Sequence, residues 1–189
     1  MNIGEEICGE YLRHVRHCEF VQYNLKPPDI QAEIDVIGIN LAENTVYVCE
    51  VAIHLITGLQ YVKNKRPDNV LRLTTKFQKD IKYINNAFPK PKYKHVFMFW
   101  SPVVRNQRSG SHHNQLQDVE NIIGDMKRKS GVTVEIVINQ KFKDKLVELR
   151  NAVGGQSKEL DSSVSRFMQV EAQLEKHLKR LKNAQHREG

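Results

Sequence analysis

The sequence predicts an α/β fold: a central mixed β-sheet flanked by helices, with one further amphipathic helix at its C-terminal end. Three observations predict it. Apolar runs of strand length (Phe20 to Leu25, two within Glu33 to His54, His95 to Trp100, Val132 to Ile138) alternate with segments whose apolar residues recur every three or four positions. The run His95 to Trp100 is continuous, as in a strand covered on both faces. Gly154-Gly155 then separates this pattern from a polar tail in which Leu160, Val164, Phe167, Val170, Leu174, Leu178 and Leu181 make a single stripe.

Each element has its own signal. Ile3 to His17 reads as the first helix, with Ile3, Ile7, Cys8, Tyr11, Leu12 and Val15 as its apolar stripe. Glu5 and Glu10 flank that stripe and could reach a site at the sheet edge, whereas Glu6 points away into solvent. Phe20 to Leu25 is a strand stopped by Lys26-Pro27-Pro28-Asp29. Two more strands follow in Glu33 to His54, joined by a polar turn at Ala42 to Asn44. Leu55 to Asn69 carries one Gly and one Pro and receives no assignment. Asp68, behind Pro67, is the expected N-cap of a helix from Asn69 to about Phe88, with Val70, Leu73, Phe77, Ile81, Ile84 and Phe88 inward. Arg72, Lys76, Lys79 and Lys82 fall toward its other faces. Trp100 is expected in the core. Val103 to Gln115 is a polar loop whose Arg105, Arg108, His112 and His113 could touch phosphates. A helix from Gln115 to about Lys129, a strand Val132 to Ile138 and a helix from about Lys141 to Val153 complete the pattern. One domain over residues 1-153 is expected, with a helix over 156-185 packing on it or on a second copy as a homodimer.

Composition narrows the function classes. At 189 residues, 40% hydrophobic and 27% charged, the chain can bury one core. A polar start and the lack of an apolar run near the roughly 18 residues of a membrane span lead us to expect a soluble cytoplasmic protein with no membrane partner. Cys8, Cys18 and Cys49 suggest neither a disulfide framework nor a zinc ribbon, and His14, His17 and Cys18 read as the surface of a helix end. No glycine-rich phosphate loop, nucleophile elbow or dinucleotide fingerprint occurs. The net charge of +7 is concentrated: Tyr61 to His95 holds ten Lys or Arg (Lys63, Lys65, Arg66, Arg72, Lys76, Lys79, Lys82, Lys90, Lys92, Lys94) against Asp68 and Asp80. Such a block is either a solvated helix face or a grip on a polyanion.

Acids on the two central strands favour the grip. With period-two alternation Val46, Val48, Glu50, Ala52 and His54 share one strand face, and Glu33, Asp35 and Ile37 share one face of the preceding strand. A hairpin can therefore bring Asp35 to Glu50. Two carboxylates so placed need a proton or a cation to relieve their repulsion, and a divalent metal does so economically. Without any nucleic acid, the acids would form a structural ion-pair network with Lys63 or Lys65.

The order of helix with acid, strand, strand with Asp, strand with Glu, basic helix and strand resembles the PD-(D/E)XK, or restriction-endonuclease-like, nuclease superfamily. GEEICGEYL from Gly4 to Leu12, EID from Glu33 to Asp35 and CEVA from Cys49 to Ala52 carry the resemblance, which spans about residues 4 to 105. It implies a restriction-endonuclease-like core and Mg²⁺- or Mn²⁺-dependent hydrolysis of DNA, with RNA as a further substrate. Asp35, Glu50 and the Val51 carbonyl would hold the metal, and Glu10 or Glu5 would support it. Lys63, Lys65, Arg66, Arg72, Lys79, Lys82, Arg105 and Arg108 would hold the backbone. Ala52 stands where the motif has its catalytic Lys. Four readings stay open: His54 takes over the water-activating role, Lys76 or Lys79 reaches in from the helix, the site is natively degenerate and leaves a binding module, or the alanine is an introduced replacement of lysine.

Overall fold

A computed structural model describes residues 2–28, 33–107 and 113–185. Five strands form one mixed sheet in the order β1-β2-β3-β6-β7. The antiparallel part is β1 (Phe20–Leu25), β2 (Ile34–Asn40) and β3 (Thr45–Val51). The parallel part joins β3 to β6 (Lys94–Ser101) and β6 to β7 (Val134–Ile138). Helix α2 (Asn69–Ala87) links β3 to β6, and α3 (Gln115–Ser130) links β6 to β7, as parallel neighbours require. The segment without a sequence assignment holds a small hairpin, β4 (Val62–Lys63) and β5 (Arg66–Pro67), turned by Asn64 and Lys65, both at positive φ.

The sheet separates two cores. On one face Val46, Val48, Ala52, Phe97 and Phe99 pack against Leu73, Phe77 and Ile84 of α2 and Val119, Ile122 and Met126 of α3. On the other, Tyr47, Cys49, Val51, Met98 and Trp100 meet α1 (Ile3–His14) and α4 (Asn139–Gly154). The period-two division of β3 is thus realised. Trp100 is fully buried, its ring edge-on to Tyr11 at 5.2 Å and to Phe142 at 5.8 Å. Helix α5 (Ser163–Gln185) lies against α4 and α1, and no helix among the described residues is long and apolar enough to cross a membrane.

Three local expectations change. Asp68 occupies the N-cap position of α2 but makes no side-chain cap bond; the next residue, Asn69, is instead buried and ties the helix start to the preceding loop through the Tyr61 N–H (2.7 Å) and the Leu59 carbonyl (3.0 Å). Glu6 is not simply solvated, because it accepts from the Ser162 hydroxyl and the Val164 N–H and caps the start of α5. Cys18 is not on the surface but buried beneath Gly38, where burial pushes its thiol up to about 12.

Candidate active site: a lysine between two carboxylates

The β2/β3 register pairs Val36 with Cys49 and Ile37 with Val48, so one step further along the ladder Asp35 comes opposite Glu50. Both carboxylates lie on the α2 side. Asp35 accepts the Val51 N–H at 2.8 Å and the Lys76 ammonium at 2.6 Å, and Lys76 also closes an ion pair with Glu50. Lys76 therefore does not point to an outer face of α2. It falls three residues after Leu73 and four before Asp80, both buried, and so projects toward the sheet. Glu50 is 1% exposed, and it and Asp35 pair with Lys76 rather than with Lys63 or Lys65, which are exposed on the β4/β5 hairpin.

A third acid escaped the sequence reading. Asp80, one turn beyond Lys76, is 1% exposed, and neither of its oxygens nor Glu50 Oε1 has a fixed hydrogen-bond donor. Burial pushes Glu50 well above the usual carboxylate range, with Asp35 adding repulsion, and burial likewise pushes Asp80 up to about 7. Glu50 and Asp80 interact, and two carboxyl groups at close quarters relieve their repulsion when one of them is protonated. Burial works against the charge on Lys76, but Glu50 and Asp35 more than offset it and hold the ammonium charged above the ordinary lysine range. The signal for Asp80 was its spacing of three from Phe77 and four from Ile84, which places a carboxylate on the buried stripe.

The other expected residues are placed as follows. Ala52 is core, 2% exposed, and its N–H bonds the Trp100 carbonyl. The His54 ring stands edge-on to Tyr61 at 5.2 Å. Tyr61 in turn carries the Arg72 guanidinium at 4.4 Å from its ring centre and feels the charges of Lys76 and Asp35. Glu10 does not serve the acidic pair: its carboxylate is taken by Arg13, His14 and Ser165, on the opposite side of the sheet. Glu5 forms a capping box with Asn2 and accepts from Asn24. Lys79, Lys82 and Arg66 are exposed. Arg105 donates to the Ile56 carbonyl, and with Lys65 and His113 it lines a cleft of about 520 Å³ beside Val62 and Pro67; Asp35, Glu50 and Lys76 are not in its wall. His113 is paired with Asp118 at 2.7 Å. Arg108 and His112 lie outside the described residues.

Among the described residues no group of three or more His, Cys, Asp or Glu is arranged to hold a metal ion. Magnesium, however, is commonly held by one or two carboxylates and water. Glu50 Oε1, buried beside Asp35 and without a donor, is an oxygen of the kind a hard cation takes up. Comparison with protein-family models, with curated proteins and with solved structures finds no match to this chain.

Proposed function

We propose that the chain is a divalent-cation-dependent phosphodiester hydrolase acting on DNA, on a PD-(D/E)XK-like core. The observation that supports it is the Lys76 ammonium between Asp35 and Glu50. These are the residue types of the nuclease motif, with the lysine delivered from α2 instead of from position 52.

Asp35, Glu50 and the Val51 carbonyl would hold the Mg²⁺ or Mn²⁺, which when bound acidifies a water and polarises the phosphate. Lys76, held as an ammonium, is a donor and not a base: it orients the attacking water and offsets charge that develops on the phosphate. Arg72, Lys79 and Lys82, with Lys63, Lys65 and Arg66 on the hairpin, hold flanking phosphates and so carry no base readout.

Linear, branched and single-stranded DNA incubated with Mg²⁺ or Mn²⁺ test the reading. Cleavage of at least one is expected, lost in Asp35→Asn and Glu50→Gln. Replacing Lys63 and Lys65 together by alanine is expected to flatten the slope of log affinity against log salt by about 2, one unit per phosphate contact. A non-catalytic nucleic-acid-binding module is the second reading, favoured by the ion pairs through which Lys76 already occupies both acids. Salt-sensitive binding without cleavage of any substrate would establish it.

A further inference from the structure

The apolar stripe of α5 is only partly used by its own chain. Val164, Ser165 and Gln169 are buried, Gln169 donating to the carbonyls of Gln156 (3.0 Å) and Lys158 (2.7 Å), and Ala172 abuts Gly154. Phe167, Val170, Leu174, Leu178 and Leu181 remain 72%, 53%, 53%, 48% and 49% exposed. At about 100° per residue these five lie within about 40° of one line, and Ser165, Gln169 and Ala172 lie about 140–180° from it. The exposed stripe thus faces directly away from the domain. Strips of this kind are rarely left open on a monomer.

The spacing identifies the occupant. From Phe167 to Leu181 the steps are three, four, four and three, a series that reads identically in both directions about Leu174. An isologous dimer needs such self-complementarity. With a two-fold axis at Leu174, antiparallel helices set Phe167 against the partner's Leu181 and Val170 against the partner's Leu178, while Leu174 meets its own copy. Charge selects the same direction. Lys176, Lys179, Arg180 and Lys182 crowd the C-terminal half of α5, where Glu175 is the sole acid. Parallel helices would stack two such clusters side by side, whereas antiparallel helices hold them at opposite ends.

We infer that α5 pairs with α5 of a second copy, antiparallel, with Leu174 on the two-fold axis. This sharpens the expected homodimer into one register and direction, and it stands apart from the hydrolase reading because mass and cross-linking do not depend on activity. The full chain at micromolar concentration is expected to scatter light as twice its 21.9 kDa mass. Leu174→Glu should raise the dissociation constant about 100-fold or more, since two carboxylates would then meet at an apolar axis. Its circular dichroism should be unchanged because Leu174 touches no core. Cys8, Cys18 and Cys49 are buried, so introduced cysteines report alone. With added oxidant, a mixture of Phe167→Cys and Leu181→Cys proteins should form the mixed disulfide, and Phe167→Cys alone should not. A monomeric wild type, a dimer untouched by Leu174→Glu, or self-cross-linking of Phe167→Cys would each overturn the inference.

Discussion

Replacing Lys76 by methionine is expected to lower both stability and cleavage, and to make stability depend on a divalent cation. Methionine keeps the packing of the stem and removes only the charge. Breaking a buried ion pair by deleting one partner costs about 3–5 kcal/mol, because the remaining charge is left without compensation. Here the cost should sit near the lower end: the Lys76 side chain is 27% exposed and Asp35 13%, so solvent reaches part of the site. About 3 kcal/mol in a chain of this size corresponds to a fall in Tm of roughly 6–12 °C in EDTA. Mg²⁺ or Mn²⁺ should then restore more stability to the variant than to the wild type, since Asp35 and Glu50, which would hold the ion, no longer have an ammonium to offset their charge. Loss of a preorganised donor at the developing charge should lower the cleavage rate by about 10²–10³. Thermal unfolding with and without the ion, together with initial rates, checks all three. An unchanged Tm in EDTA with full cleavage would remove Lys76 from the site.

How far the site could be read from residues depends on which periodicity each residue obeys. Asp35 and Glu50 were legible because side chains alternate strictly along strands and the hairpin between them is short, so register follows from parity. The five-stranded sheet was legible for a related reason: Phe97 to Trp100 is apolar at every position, which only a strand covered on both sides requires. Lys76 was harder. A long stem lets a lysine near the boundary of a helix's buried stripe turn either inward or outward, and only the acids across the sheet decide which. His54 shared the expected strand face on paper, but β3 ends at Val51, and past that point alternation no longer directs a side chain. Glu10 was misplaced because a helix next to a sheet can serve either the sheet edge or a neighbouring helix, and the Ser165 hydroxyl of α5 claims it. Asp80 obeyed the helical period all along, yet in a segment so basic it entered only as an acid to be subtracted from the charge.

Asp80 also gives the site a pH dependence that an amide should abolish. Its carboxyl is raised from the ordinary 3.8 to about 7, chiefly by burial. In the unfolded chain the proton leaves near pH 4, whereas in the folded chain it stays until about pH 7. Across that interval the native state holds more protons than the unfolded one, so stability falls as pH rises, and above about pH 7 the loss is complete and constant. Glu50, raised by the same burial, adds in the same direction. Asp80→Asn removes the ionisable group and supplies an N–H that Glu50 Oε1 lacks. The variant should therefore match the wild type near pH 4 and exceed it by about 2–4 kcal/mol near pH 8 in EDTA, from a shift of roughly three pKa units at 1.36 kcal/mol each. Urea unfolding at the two pH values measures the difference directly. Equal gains at both would mean that burial does not raise the Asp80 carboxyl, which would then be ionised throughout. The same substitution also separates stability from chemistry: if Lys76 and the two strand acids are sufficient for cleavage, Asp80→Asn should keep its rate while the protein gains stability.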